Sequence, residues 1–531
     1  MTRGVLARRV LSMASGTLAS RATGLVRVLV LAWVLGFSPL ADSYNLANTV
    51  PNMLYDLVLG GVASATFIPV FVEYLSRDGE RRAWRSISSV VTLALSVLAI
   101  ATLVTWLVAP AIIDGFTMLH HGSRVDAVAL HAQRSVAVSL LRWFAPQIFF
   151  YGLLSLGGAL LNARHRFGAS AWVPVANNLI CVAVLVWFHL SSPHPRGAGL
   201  NGHELLVLGL GTTLGVVVQF ICLVPSLLRA DLWRLSLRPS VSDPAVKKVL
   251  RLGSWTIANV VANQCSLAVV LAMAFGLGGS GSVSAYTYGW SFMQMPYAVV
   301  VVSVLNALTP AMAANAAAGR LRDVERDART SVTNSLLVIV PATVLLVVLA
   351  QPLVALLLGR GHAETHLAAG VALAVLAAGL PGFTVFAVVI RTLQALQHGR
   401  DTFFLYAVQN GLTIVLVLAW GRHTLGGVVA AVSVAYTLAA ILGVVSLSTR
   451  GVSLGYAVAN RALGRVSVAS IVAGLAAVVS FNLASWPGGV LLALRTAGAF
   501  VVAVGVFFFL TRPLWKESLR RARNRDKVET D

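Results

Sequence analysis

A helix needs about 20 consecutive apolar residues to cross the hydrocarbon core of a bilayer, and this chain supplies such a run again and again. Fourteen apolar segments follow one another: 11–36, 40–75, 87–113, 135–162, 170–190, 205–228, 252–278, 283–316, 331–358, 366–397, 403–421, 424–448, 466–485 and 489–511. In lipid every backbone polar group has to be satisfied within the protein, and a helix does this inside each segment. The 531 residues are 57% hydrophobic and only 11% charged, with a mean hydropathy of +0.82. A soluble domain of this length is excluded. The expected fold class is an all-α integral membrane protein with fourteen transmembrane helices.

A formal net charge of +21 would suggest a nucleic-acid partner in a soluble protein. Here no aromatic–basic interleaving accompanies it, and the charge follows the membrane instead. With the N-terminus in the cytoplasm, the inner connections and the C-terminal tail hold 30 of the 40 basic residues, and the outer connections hold only Arg124, Arg134, Arg196, Arg360 and Arg422. By the positive-inside rule both termini are expected in the cytoplasm. The basic-then-apolar start reads as a retained first helix, because Arg27 interrupts the apolar run and no clean cleavage site follows. Segment 241–252, VSDPAVKKVLRL, reads as an interfacial helix leading into span seven. Cys181, Cys222 and Cys265 lie on separate segments without ligand spacing and read as small core residues.

The remaining basic residues, Arg21, Arg27, Arg142, Arg391 and Arg495, fall within the spans. An arginine there costs at least about 2.5–3.5 kcal/mol unless something compensates it. Arg21 and Arg27 sit in a polar set with Ser15, Thr17, Ser20 and Thr23, and span two adds Asp42, Ser43, Asn45, Asn48, Thr49 and Asn52. Span seven carries Asn259, Asn263, Gln264 and Ser266, and span eight carries Ser284, Thr287, Ser291 and Gln294. The amides and hydroxyls read either as hydrogen bonds between helices or as the lining of a wet cavity. Arg21 and Arg27 read either as partners of Asp42 or Asp56, as snorkelling, or as an anion site, since guanidinium groups bind phosphate oxygens bidentately. Arg142 and Arg391 read as snorkelling or as facing the same cavity, and Arg495 as snorkelling. Asp42 and Asp56 read foremost as counter-charges to the arginines.

Spans two and eight are both over 30 residues long and broken by prolines, Pro51 and Pro69 in one, Pro296 and Pro310 in the other. Matching breaks six spans apart point to a transporter built from a repeat. No catalytic constellation and no nucleotide loop is present. His362 and His366 have the spacing of helix-borne ligands but no third partner, so neither a metal nor a cofactor is expected.

The opening SRATGLVRVLVLAWVLG…ADSYNLANTVPNML resembles that of the MurJ/MviN family, whose pattern is S-R-x-x-G-x-x-R, an Ala-Asp turn, then x-P-N-x-L. FIPVF at 67–71, GALLNARHRFGASAWVPVANN at 158–178, Gln264 and Ser266, MPYAVVVVSVLNALTPAMA at 295–313 and RTLQALQHGRDT at 391–402 continue the resemblance in order. It implies a member of the multidrug/oligosaccharidyl-lipid/polysaccharide exporter superfamily with two pseudo-symmetric six-helix lobes and two further helices that form a lipid-tail groove. The corresponding division is 1–240, 241–450 and 451–511, with 512–531 as a basic cytoplasmic tail.

The resemblance also implies flipping of lipid II, the undecaprenyl-pyrophosphate-linked peptidoglycan precursor, between leaflets of the cytoplasmic membrane. Arg21 and Arg27 then take the family's two span-one arginines and Asp42 its acidic residue before span two. The pattern departs where relatives carry further arginines, which here read Asp56 and Ser291, and where a Glu-Gly pair reads Gly60-Gly61. Arg142 matches a basic position in relatives. The substrate-binding set expected on this basis is Arg21, Arg27, Asp42, Asn52, Arg142, Gln264, Ser291 and Arg391. Lipid II or a similar polyprenyl-pyrophosphate glycolipid, membrane lipids and cell-wall synthesis proteins are the expected partners. The rival readings are export of another polyprenyl-linked glycan and a non-transporting scaffold for envelope synthesis.

Overall fold

The computed structural model describes residues 3–59, 67–77, 80–119, 124–164, 166–192, 200–230, 234–237, 240, 242–277, 281–358, 363–458, 460–483 and 489–530. Gly60, Gly61 and His362 lie outside them. Among the described residues all regular structure is helical. The chain forms two compact units, Met1–Ser284 and Ala285–Asp531.

The first unit holds α1 (Arg3–Leu35), α2 (Pro39–Leu59), α3 (Ile68–Arg77), α4 (Glu80–Thr117), α5 (Arg124–Phe144), α6 (Pro146–Ala163), α7 (Phe167–Ser191), α8 (Gly202–Leu228) and α9 (Pro244–Gly276). Next, α10 (Ser282–Pro296) begins at the end of this unit and runs into the second. The second unit continues with α11 (Val302–Ala317), α12 (Leu321–Val348), α13 (Ala350–Leu358), α14 (Ala363–Ala378), α15 (Leu380–Ala395), α16 (Gly399–Trp420), α17 (Leu425–Ser448), α18 (Gly455–Val458), α19 (Arg461–Leu483) and α20 (Gly489–Thr530). Between α10 and α11 the backbone widens into a π-helical turn, Tyr297–Val301, directly after Pro296. Proline has no N–H to give the preceding turn, and the wider turn absorbs the mismatch.

Among the described residues twelve helices are long and apolar enough to cross a bilayer, or thirteen when Leu367–Ala378 and Leu380–Ala395 count as one span bent by 40°. The protein is therefore a multi-pass helical membrane protein. The difference from the expected fourteen lies in α2. It is 21 residues long, but Asp42, Asn45, Asn48, Asn52 and Asp56 make it too polar to qualify by composition. The interfacial helix expected at 241–252 is not a separate element. Asp243 caps it, with Oδ1 accepting from the Ala245 N–H at 2.9 Å, and the helix runs on unbroken as α9. Its Lys248 Nζ reaches Glu73 Oε2 of α3 at 2.5 Å.

In the first unit Phe67, Phe71, Trp84, Ile87, Ile148 and Leu160 form a buried core joined by Ala245 and Val246 of α9. With lipid outside, large apolar side chains also face outward, as Ile100, Leu103 and Leu107 of α4 do. Cys181 is buried as expected, whereas Cys222 and Cys265 are exposed, because a small apolar side chain is equally at home against lipid. Close helix approach is arranged by small residues. A Cβ at Gly209 of α8 would stand 2.7 Å from the Cβ of Trp143 in α5.

Candidate substrate site

Arg27 is placed by how α1 meets α7. The contact stripe on α1 is Gly16, then Ser20 four residues on, then Thr23 and Gly24 three and four residues further. Gly16 lies under Trp172, and Asn178 Nδ2 donates to Ser20 O at 3.2 Å and to Thr23 Oγ1 at 3.1 Å. Arg27 continues this stripe. It is half-buried, Tyr44 of α2, Tyr151 of α6 and Cys181 of α7 are the groups that act on its charge, and among the described residues no carboxylate does. Arg21, six residues earlier, lies about 9 Å back along the axis and about 120° around, and is exposed.

The groups around Arg27 are held by neutral hydrogen bonds. Tyr44 is fully buried, its hydroxyl 3.0 Å from Thr212 Oγ1 and its ring edge-on to Phe144. Tyr151 Oη donates to Gln147 Oε1 at 3.4 Å, Gln147 Nε2 donates to Thr213 Oγ1 at 3.0 Å, and Thr213 donates to Trp143 O at 2.7 Å. None of Tyr44, Gln147, Tyr151, Thr212 and Thr213 was among the expected site residues. The available signal was a Gln in span four and a Thr-Thr pair in span six, polar side chains inside largely apolar runs.

Asp42 does not balance the arginines. It is buried, and Oδ1 accepts from the Ser284 N–H at 2.8 Å and from Ser284 Oγ at 2.7 Å, while Oδ2 accepts from the Gly281 N–H at 2.8 Å. A helix start presents unsatisfied N–H groups and a positive dipole end, so the carboxylate caps α10. Gly281 has φ +87°, and a Cβ there would meet Phe37 O at 2.6 Å. Asn45 Nδ2 donates to Ser284 Oγ at 3.0 Å and completes the cap. Asp56 pairs with an amide rather than an arginine: its Oδ2 accepts from Gln264 Nε2 at 3.3 Å. Gln264 is buried, and its Oε1 has no partner among the described residues. Asn52 is half-buried on α2, bonded to Asn48 O at 2.8 Å.

Arg142 stands apart from Arg27. On α5 the face toward α2 carries Gln133, whose Nε2 donates to Pro39 O and whose carbonyl accepts from Ser43 Oγ. Nine residues further on is half a turn around the helix, so Arg142 points away from α2. It is exposed and stacks over Trp106 at 5.4 Å.

In the second unit Ser291 is half-buried and bonded to its own helix at Thr287 O. Arg391 is exposed, with Nη1 3.3 Å from Gln394 Oε1 and with Tyr297 and Tyr406 nearby. Arg495, expected to snorkel, is held within its own hairpin: Nη2 donates to Phe481 O at 2.7 Å and the guanidinium lies 4.4 Å over the Phe481 ring. An apolar groove of about 420 Å³ runs between α12, α13 and α20, lined by Leu345, Leu349, Leu353, Phe500 and Val501.

A family model described as lipid II flippase MurJ matches residues 31–516. The lipid II flippase MurJ of Burkholderia cenocepacia is 28% identical over 384 residues, 71% of this chain and 70% of that protein. A solved structure of a lipid II flippase MurJ in an inward closed conformation matches with a TM-score of 0.74 at 18% identity, covering 94% of this chain and 99% of that one. An inward-facing multidrug-resistance MATE family transporter of the MOP superfamily matches with a TM-score of 0.65 at 16% identity, covering 81% and 94%. At these identities the two structures establish the fold.

Proposed function

The chain belongs to the MurJ family, and from that membership we propose that it moves lipid II from the inner to the outer leaflet of the cytoplasmic membrane by alternating access, for cell-wall synthesis. It acts as a transporter, not an enzyme. Both termini face the cytoplasm, the side to which the sequence assigns most of its basic residues. The observation that carries the reading is Arg27, a guanidinium inside a membrane span with hydroxyl and thiol neighbours and, among the described residues, no carboxylate. A charge left open in that way suits a diphosphate, which offers several oxygens to a planar fork of donors. Arg21 and Arg27 bind the pyrophosphate, and Asn52 and Gln264 of the same unit are further substrate contacts. The polyprenyl tail stays in apolar surroundings, for which the groove beside α20 is suited. Envelope-synthesis proteins are the natural partners of such an activity.

The test is lipid II exposure on the outer face of cells depleted of their own flippase. Wild type restores exposure and Arg27→Ala does not. If both restore it, Arg27 is not the anion site. If well-expressed wild type fails in a compatible host, lipid II is the wrong cargo and another polyprenyl-linked glycan replaces it. Asp56 and Ser291, standing where the family resemblance expects arginines, are what keep that second cargo in view. A scaffold would tolerate Arg27→Ala.

A further inference from the structure

We infer that Asp56 and Gln264 form a proton-binding pair, in which the Asp56 carboxylate takes up and releases one proton inside the membrane and so links transport to the proton gradient. The link to transport rests on the reading of the chain as a lipid II transporter; the proton site itself does not.

A carboxylate inside a span requires compensation. Two forms of it are present elsewhere in this unit. Glu73 has the ammonium of Lys248, and Asp42 has the start of α10, with two backbone N–H groups and a hydroxyl. Asp56 has neither. Among the described residues no Lys or Arg pairs with it, and its hydrogen bond comes from the neutral amide of Gln264, Nε2 to Oδ2 at 3.3 Å, just beyond the usual range of about 2.7–3.2 Å. Gln264 on α9 shows the complementary deficit. It is only 9% exposed, and its Oε1 is enclosed without a donor among the described residues.

One proton removes both deficits. Its uptake turns the carboxylate into a neutral acid whose O–H is the donor that Oε1 lacks, and its release restores the ion; no other bond changes. A carboxylic acid and a primary amide are complementary: the amide N–H gives to one acid oxygen, and the acid O–H gives to the amide oxygen. The ionised acid makes only the first of these bonds, the one from Nε2 to Oδ2. A hard metal cation suits the pair less well. It takes about six or more oxygen ligands, and the pair offers the two of Asp56 and Gln264 Oε1.

The surroundings leave this acid among neutral groups. Tyr55 lies beside it on α2, and α6 brings Tyr151, whose ring is 5.6 Å from that of Tyr55. On α9 the exposed Cys265 follows Gln264, while Lys247, Lys248 and Arg251 lie more than three turns earlier. On α1, Arg21 is exposed and Arg27 is the charge on which Tyr44, three turns back along α2, acts. On α5, His131 and Arg134 lie beside Gln133, which is bonded to Pro39 O at the far end of α2, and Arg142 points away. The charged residues of α4 lie toward its two ends.

The experiment is infrared difference spectroscopy of the purified full chain in detergent during acid titration, with melting temperature recorded for every variant. Wild type shows a protonated-carboxyl C=O band that Asp56→Asn lacks and Asp56→Glu retains. The band moves to higher frequency in Gln264→Leu, where the acid has lost its acceptor. If the wild-type and Asp56→Asn spectra coincide, or Gln264→Leu leaves the band in place, the inference is overturned. Sodium chloride that abolishes the band at constant pH, where choline chloride does not, also overturns it and assigns the pair to a metal cation. The second arm follows lipid II exposure in depleted cells treated with nigericin, which collapses the pH gradient and spares the membrane potential. For one proton per cycle the gradient is worth about tenfold per pH unit in the outer-to-inner ratio. Nigericin therefore lowers exposure by wild type by up to that factor and leaves exposure by Asp56→Asn unchanged. An equal response in both overturns the link to transport. Wild type that shows the band but exposes no lipid II refutes the cargo reading while upholding the proton site, so the two failures are told apart.

Discussion

Replacing Asp42 with asparagine tests whether this acid belongs to the arginines or to the start of α10. The side chain keeps its shape, but one of its two acceptor oxygens becomes an NH2 group. Asp42 accepts backbone N–H groups on both oxygens, Gly281 on one and Ser284 on the other, each at 2.8 Å. Whichever way the new amide turns, one N–H faces a donor. Leaving a buried N–H unsatisfied costs about 1–3 kcal/mol. Losing the negative charge at a helix N-terminus adds about 0.3–1 kcal/mol, and up to about 2 kcal/mol in a buried setting. The expected loss is about 2–4 kcal/mol, read as a lowered melting temperature of the purified protein in detergent. Ser284→Ala removes the hydroxyl's bond to Asp42 and the one it accepts from Asn45 but keeps the charged backbone cap, and should cost about 1–2 kcal/mol. A second arm separates the cap from a salt bridge. Were Asp42 the partner of Arg27, removing both charges would relieve the unpaired one, so Arg27→Leu would rescue Asp42→Leu. On the cap reading the two losses simply add, within about 0.5 kcal/mol. An Asp42→Asn protein that melts like wild type, or a rescue by Arg27→Leu, would refute the assignment.

Three further outcomes follow from the same geometry. Gly209→Ala places a Cβ 2.7 Å from Trp143 and should lower stability by about 1–3 kcal/mol as α5 and α8 are forced apart, measured by thermal unfolding. Arg142→Leu should leave lipid II exposure in depleted cells within about twofold of wild type, since that side chain points away from α2 and costs energy in lipid rather than saving it; a loss comparable to Arg27→Ala would return Arg142 to the substrate path. Ala497→Trp puts a large ring into the groove beside α20, which Ala497 lines, and should reduce the lipid retained on the purified protein by native mass spectrometry while the melting temperature holds; unchanged lipid retention would remove the groove from the tail's route.

Much of the fold could be read directly because lipid imposes one demand on every residue of a span. A helix meeting lipid has to be apolar throughout, so α4, α8 and α17 announce themselves by composition. The second span did not, and the reason is functional: its Asp42, Asn45 and Asp56 face protein partners rather than lipid. Arg27 was legible in the same terms, because Gly16, Ser20, Thr23 and Gly24 already trace the stripe that Arg27 extends. What surrounds Arg27 was not. Thr212 lies 168 residues from Tyr44 along the chain, and nothing local distinguishes a hydroxyl that orients a tyrosine from one bonded to its own helix, as Thr105 is.

Asp42 failed for a related reason. Opposite charges close together in sequence suggest a pair, whereas the positive group this acid meets is the start of a helix 239 residues away, and a helix dipole carries no letter in the sequence. Arg142 shows the converse. Its residue type and its neighbours in the chain suit a cavity well enough, and only the face of α5 claimed by Gln133 decides that it points elsewhere. Inside a membrane, then, residue type tells that a polar group requires compensation, and the helix face tells who supplies it. Of the charged residues assigned here to the substrate from sequence, Arg27 alone among the described residues of the first unit combines an inward-facing stripe with neighbours that leave its charge open, and that combination is what singles it out.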